Sequence, residues 1–159
     1  MRIAFDSAIL VRANQSATSL ARAVLENGHT MVLSASVLDE VGRVVHYPRL
    51  FKAYALTGIE ISRFVAFLSA SAHVVEIDET VAPPIRDPDD VHIIRTAVSG
   101  KADLLCTLDA HFYDSAVLEF CRTHGIRVVS GCRDARFDSC SNARHRNSGR
   151  VLTPVSCVK

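Results

Sequence analysis

Short apolar runs recur along this chain, separated by stretches in which apolar positions return every three or four residues. Arg2-Ile-Ala-Phe5 has the pattern of a buried strand and stops at Asp6. An unbroken apolar run, rather than an alternating one, is what a strand covered on both faces shows. Thr30-Met-Val-Leu33, Val74-Val-Glu-Ile77, the segment from Asp103 to Leu108 and Gly125-Ile-Arg-Val-Val129 predict four further strands. Between them, Leu20, Ala21, Val24 and Leu25 fall at helical spacing over residues 16–27, with Gly28 as the stop. A second helix begins at Ser36, carries Val37, Val41, Val44 and Val45 on one side, and is limited by Pro48.

A short helix over 49–56 is possible, and Thr57-Gly-Ile-Glu60 is a capping-box sequence that starts a helix from Ile59 to Ala70. Asp87-Pro88 reads as a cap followed by proline at the first helical position. Ile93, Ile94 and Ala97 give that helix its apolar side, and Gly100 ends it. A last helix covers Ser115 to Thr123, with Leu118 and Cys121 on its apolar stripe. Strands alternating with helices in this way predict an α/β fold with a central, mainly parallel sheet covered on both faces.

With 159 residues, 48% of them hydrophobic and 22% charged, the chain suits one globular domain with a real core. The pattern dissolves after Ser130 into Ser, Arg, Asn, Asp and Cys. The expected organisation is therefore a domain over 1–130 and a basic, Cys-containing tail over 131–159, partly irregular, with a short returning strand at Val151-Leu-Thr-Pro154. No apolar run approaches the roughly 18 residues of a membrane span. The opening Met-Arg-Ile-Ala-Phe-Asp lacks a signal-peptide pattern, which leaves the expectation of a mature, cytoplasmic protein without a membrane partner.

The five cysteines are odd in number and contain no Cys-x-x-Cys pair. A zinc site from Cys132, Cys140, His145 and Cys157 lacks the short paired spacing of such sites, so reduced thiols are expected. Net charge is +1, but the tail holds six basic residues against two acidic, leaving twelve basic against fifteen acidic in residues 1–130. A mildly acidic body with a basic tail is compatible with nucleic acid approaching a metal site.

Four carboxylates carry the candidate chemistry. In open parallel sheets, sites form beyond the carboxyl ends of the strands. Asp6 follows the first strand and Asp109 follows the fourth, Asp90 stands in the first turn of its helix, and Glu40 lies one turn into another. Like charges converging on one place repel, and a divalent cation relieves that repulsion; carboxylate oxygens suit Mg²⁺ or Mn²⁺. Each acid also has a plainer explanation. Asp87, Asp89 and Asp90 are favoured at a helix N-terminus by capping and the macrodipole, and Glu40 alone would be an exposed helix residue. Asp39 should be solvated, and Asp103 heads its strand at the end away from the crevice.

The order of these acids carries a resemblance. Phe5-Asp6-Ser7-Ala8-Ile9-Leu10-Val11, Leu38-Asp-Glu40-Val-Gly-Arg-Val44-Val-His-Tyr-Pro48-Arg-Leu50, Asp87-Pro-Asp-Asp90-Val-His-Ile93-Ile-Arg-Thr-Ala97 and Ala102-Asp103-Leu-Leu-Cys-Thr107-Leu-Asp109 resemble, in order, the four motifs of PIN-domain nucleases. They are most similar to the toxin components of toxin–antitoxin systems, relatives of the VapC-type ribonucleases. The resemblance covers roughly residues 1–130. It implies a three-layer α/β/α sandwich and Mg²⁺- or Mn²⁺-dependent RNA cleavage leaving a 5′-phosphate and a 3′-hydroxyl.

By the same resemblance Asp6, Glu40, Asp90 and Asp109 are the metal-binding acids, with Ser7 and Thr107 as hydrogen-bonding neighbours. RNA is the implied substrate, an inhibitory antitoxin the implied partner, and a homodimer the implied assembly. Two features depart from the pattern. His111 stands where many relatives carry a further acid, and the tail has no counterpart. Arg12, Arg43 and Arg95 are candidate phosphate contacts by their nearness in sequence to the acids.

Other classes fit less well. A phosphatase would want Asp-x-Asp where the chain has Asp6-Ser7-Ala8, and a phosphoaspartate receiver would want a Lys after the last strand, where Val129-Ser130 stands. Neither a Gly-x-x-x-x-Gly-Lys loop nor a Gly-x-Ser-x-Gly elbow is present. The remaining rival is a catalytically inactive PIN module that binds RNA or a protein partner.

Overall fold

The computed structural model describes residues 1–13, 24–45, 47 and 57–130. Among them the order is β1 (Arg2–Phe5), α1 (Ser7–Ala13), β2 (Thr30–Ser34), α2 (Ala35–Val45), α3 (Gly58–Ser71), β3 (His73–Val75) and a 3₁₀ turn (Pro88–Asp90). That turn runs into α4 (Val91–Ser99), followed by β4 (Leu104–Thr107), a second 3₁₀ turn (Ala110–Tyr113), α5 (Ser115–Thr123) and β5 (Arg127–Ser130).

The strands form one sheet in the order β3-β2-β1-β4-β5, and every neighbouring pair is parallel. Helices flank it, so the chain is an α/β/α sandwich with a parallel sheet. The three central strands are almost wholly buried: Ile3 to Phe5, Met31 to Ser34 and Leu104 to Thr107. That burial is why their sequences run apolar without alternation. The edge strands β3 and β5 are partly exposed. Each fully buried Leu or Ile here contributes about 1.5–3 kcal/mol, so truncating Leu105 to Ala would cost about 2–5 kcal/mol.

The helices form where the patterns place them. Thr57 and Glu60 make the reciprocal cap: Thr57 Oγ1 accepts from Glu60 N at 3.3 Å, and Glu60 Oε2 accepts from Thr57 N at 2.7 Å. α2 buries Val37, Leu38, Val41 and Val45, and α4 buries Ile93, Ile94, Thr96 and Ala97. α4 packs across β1 and β2, and its C-terminal Gly100 lies against β2 so closely that an added Cβ would meet Val32 Cγ1 at 2.1 Å.

Some expectations shift. β3 begins at His73 and ends at Val75, because Ser34, the last residue of β2, pairs with Val75. Leu118 is 38% exposed, and Val117 with Cys121 forms the buried stripe of α5. Of the helix expected over 16–27, only its last turn falls among the described residues, and Gly28 ends it at φ +68°, where L side chains are strained. The segments expected as a short helix over 49–56, the tail over 131–159 with its returning strand, and Cys132, Cys140, His145 and Cys157 lie outside the described residues. Cys106 and Cys121 are buried and in no disulfide. No helix among the described residues is long and apolar enough to cross a membrane.

Candidate active site

The strand order reverses direction between β1 and β4, and this switch point is where an open parallel sheet leaves a crevice. Asp6 lies there, 5% exposed, immediately after β1. A buried carboxylate is costly unless its lone pairs are satisfied. Its Oδ1 accepts from Ala8 N at 3.0 Å and from the Ser7 hydroxyl at 3.4 Å, while Oδ2 accepts from Thr107 Oγ1 at 2.6 Å. The Thr107 hydroxyl, fully buried at the end of β4, also accepts from Asp109 N at 3.0 Å. One hydroxyl thus ties Asp6 to the loop that carries Asp109. Asp109 itself caps the following 3₁₀ turn, its Oδ1 accepting from His111 N at 2.8 Å.

Glu40 reaches the same place from α2. Its Oε2 lies 3.0 Å from His92 Nε2, and it also hydrogen-bonds with the Ser7 side chain, which stands between Glu40 and Asp6. Burial pushes the Glu40 carboxyl up, but the hydrogen bonds from His92 and Ser7 and the charges of His92 and Arg43 outweigh it and hold it below its usual value. Burial pulls His92 down, but the hydrogen bond and charge of Glu40, helped by Asp89 and Asp90, raise it on balance. Each partner therefore favours the charged form of the other.

Asp90 differs from the other three. It is the residue from which α4 starts, yet its side chain makes no capping bond. Asp87 does the capping, its Oδ1 accepting from Asp89 N at 2.9 Å. The Asp90 carboxyl is pushed up to about 6, first by burial and then by the charges of Asp109, Asp87, Asp6 and Glu40. Asp109, Asp6 and Glu40 are all sources of that field, so the four carboxylates lie within electrostatic reach of one another.

Of the four, Asp90 alone belongs to the close donor group found among the described residues. Ligand atoms of Asp87, Asp90 and His111 all lie within 4.8 Å of one another, and these three form the one such group of possible metal donors among the described residues. His111 Nδ1 is also 3.6 Å from Asp109 Oδ1. The donor set is oxygen-rich with one imidazole, and its mutual repulsion is what a divalent cation would relieve; the residues fit such an ion.

Other candidates fall elsewhere. Arg95 is committed to the segment after β3: it donates to Val81 O at 2.8 Å and Glu79 O at 2.7 Å and pairs with the Glu79 carboxylate. It is therefore not the phosphate contact its sequence position suggested. Arg12 and Arg43 are exposed. Asp103 accepts from Arg2 N at 2.8 Å at the opposite end of the sheet, and Asp39 is exposed, both as expected. His92 and the second role of Asp87 were missed by sequence reasoning. The signal for His92 was a polar side chain beside the buried positions 93, 94, 96 and 97 of α4.

The PIN domain family matches residues 3–111, from β1 to the imidazole on the rim. No curated protein matches the sequence. Among solved structures, the chain is similar to one in the crystal structure of VapBC2 from Rickettsia felis bound to a DNA fragment from their promoter. The TM-score is 0.54 at 16% identity, covering 82% of this chain and 99% of that one. At that identity the likeness shows the fold. The family match, spanning more than half of the sequence, shows the lineage: the chain belongs to the PIN domain family, whose members are generally nucleases that use divalent metal ions.

Proposed function

We propose that this protein is a metal-dependent endoribonuclease and the toxin of a toxin–antitoxin pair, with residues 1–130 as the nuclease domain. Asp6, Glu40, Asp90 and Asp109 are the acids that hold Mg²⁺ or Mn²⁺, and Ser7 and Thr107 orient them. The observation that carries the reading is Asp90, whose carboxyl lies in the field of Asp109, Asp87, Asp6 and Glu40 together. A binding scaffold has no use for that repulsion, whereas a phosphodiesterase does. When bound, the ion supplies charge neutralisation at the phosphate and a more acidic water.

The chain's own residues supply the rest. Asp6 is a fixed anchor, held by Thr107, Ser7 and Ala8. Glu40, hydrogen-bonded to His92, completes the ion's shell or helps position the attacking water. The exposed Arg12 and Arg43 hold the phosphate backbone of a single-stranded or looped RNA. Unrestrained RNA cleavage harms the cell that makes it, so the proposal includes a protein antitoxin as partner. The VapBC2 structure from Rickettsia felis bound to promoter DNA supports that context. A homodimer in the cytoplasm is the proposed working form.

The test is a calorimetric Mn²⁺ titration alongside cleavage of a labelled RNA. The wild type should bind Mn²⁺ and cut the RNA, and Asp6→Asn should lose both. RNA affinity that persists in EDTA, with no cleavage in Mn²⁺, would establish the inactive binding module instead.

A further inference from the structure

Two large side chains stay exposed on the loop that carries Asp109 and His111. Leu108 is 45% exposed and Tyr113 is 37% exposed. Tyr113 is nevertheless anchored. Its hydroxyl donates to the Thr107 backbone carbonyl at 3.3 Å and hydrogen-bonds with the Ser130 side chain. The phenol oxygen is thus fixed over the carboxyl ends of β4 and β5, while the residue keeps over a third of its surface open to solvent. Thr107, whose carbonyl it holds, is the residue whose hydroxyl joins Asp6 to the Asp109 loop.

An exposed aromatic with a pinned end has little side-chain entropy left to lose when something covers it. What covers it must suit the neighbours. Asp114, next in sequence, pairs with Arg86 at 3.3 Å, and the Arg86 side chain is 81% exposed. Arg86 in turn precedes Asp87 of the acidic rim. An exposed aromatic, an exposed guanidinium paired with Asp114 and carboxylates suited to a metal therefore stand on two segments that the Arg86–Asp114 pair joins. A nucleotide of single-stranded RNA offers the matching features: a base with an apolar face, and a phosphate.

We propose that Tyr113, with the exposed Leu108 on the same loop and Arg86 held to the adjacent Asp114, is a stacking platform that receives one base of the RNA beside the phosphodiester to be cut. This rests on the nuclease reading and adds the subsite that sets which nucleotide sits next to the metal-binding acids. Stacking on an aromatic shelf is worth roughly five- to a hundredfold in affinity per base.

The experiment measures KM and kcat in Mn²⁺ for a short oligouridylate cut by wild type, Tyr113→Phe and Tyr113→Ala. The same measurement is made on RNAs carrying a single abasic ribose at successive positions. Tyr113→Ala should raise KM about five- to a hundredfold and more than it lowers kcat, and Tyr113→Phe, which keeps the ring, should recover most of that loss. One abasic position should weaken wild type by a similar factor and leave Tyr113→Ala little changed. Equal damage from Phe and Ala would make Tyr113 a structural pin and overturn the platform, as would abasic RNAs cut like the parent. A wild type that neither binds nor cuts any RNA would overturn the nuclease reading itself.

Discussion

Replacing Asp90 by Asn should stabilise the metal-free protein while weakening its hold on a cation. The carboxyl is raised from 3.8 to about 6 in the folded state by burial and by four neighbouring carboxylates. A shift of about two units corresponds to about 3 kcal/mol at neutral pH. That figure is a ceiling, because Asp90 is only partly buried and water screens the repulsion. About 1–2 kcal/mol is the working value, or a few degrees in melting temperature for a chain of this size.

The pH dependence fixes the sign. A folded pKa above the unfolded one means that the native state holds the proton more tightly. Well below pH 3.8 the carboxyl is protonated in both states and Asn should confer no advantage, and near pH 4 the advantage should be small. The advantage should grow as pH rises toward 6 and be complete above it. Urea unfolding of both proteins in EDTA between pH 4 and 8 measures it. Saturating Mn²⁺ should then reverse the ranking, since an ion at a hundred times its Kd adds about 2.7 kcal/mol to whichever protein binds it. An Asn variant less stable than wild type at pH 7.5 in EDTA, or equally favoured at pH 4, would refute the argument that the acids strain one another.

Three further outcomes follow from the same contacts. Thr107→Val keeps the volume but removes the donor to the buried Asp6 carboxylate, so urea unfolding at pH 7 should show a loss of about 2 kcal/mol together with reduced cleavage. His92→Leu should cost about 1 kcal/mol through the lost ion pair with Glu40. With Glu40 held below 4.5 and His92 above 6.5, that loss should be full between those values and shrink as pH rises further or falls below 4.5, as thermal melts across pH would show. Gly100→Ala should destabilise by about 1–3 kcal/mol in a melt, because Val32 in β2 and the Thr96 carbonyl already occupy the space a methyl needs.

The central sheet was legible because its strands are buried on both faces and announce themselves as unbroken apolar runs. Asp6 and Asp109 were legible for the same reason: each is a charge immediately beyond such a run. β3 was harder to place, since an exposed edge strand of three residues leaves little apolar signature. The site's remaining members depend on helix phase and distant pairing, which spacing alone does not give. Arg95 lies five residues beyond Asp90, about 140° past a full helical turn, and so points to the segment after β3 instead of the rim. Leu118 likewise sits one position off the Val117–Cys121 stripe of α5. His92 finds Glu40 across 52 residues of sequence, a partnership that only the packing of α2 beside α4 creates.

The four acids are held by unequal means, and the inequality locates the functional tension. Asp6 is fixed by Thr107 and Ala8 and shares the Ser7 hydroxyl with Glu40, Glu40 is also held by an imidazole, and Asp109 is fixed by the turn it caps. Asp90 has no such cap and takes the repulsion of the rest. Its helix cannot back away: Ile93, Ile94 and Ala97 are buried against the sheet, Gly100 rests on Val32, and the Gly100 carbonyl accepts from Arg2 Nε at the far end. The rim can relieve its charge only by taking up a proton or a cation. On the proposed reading a cation relieves the charge left once the Asp90 proton has gone, and a helix held this firmly would make Asp90 the residue through which binding and stability are coupled.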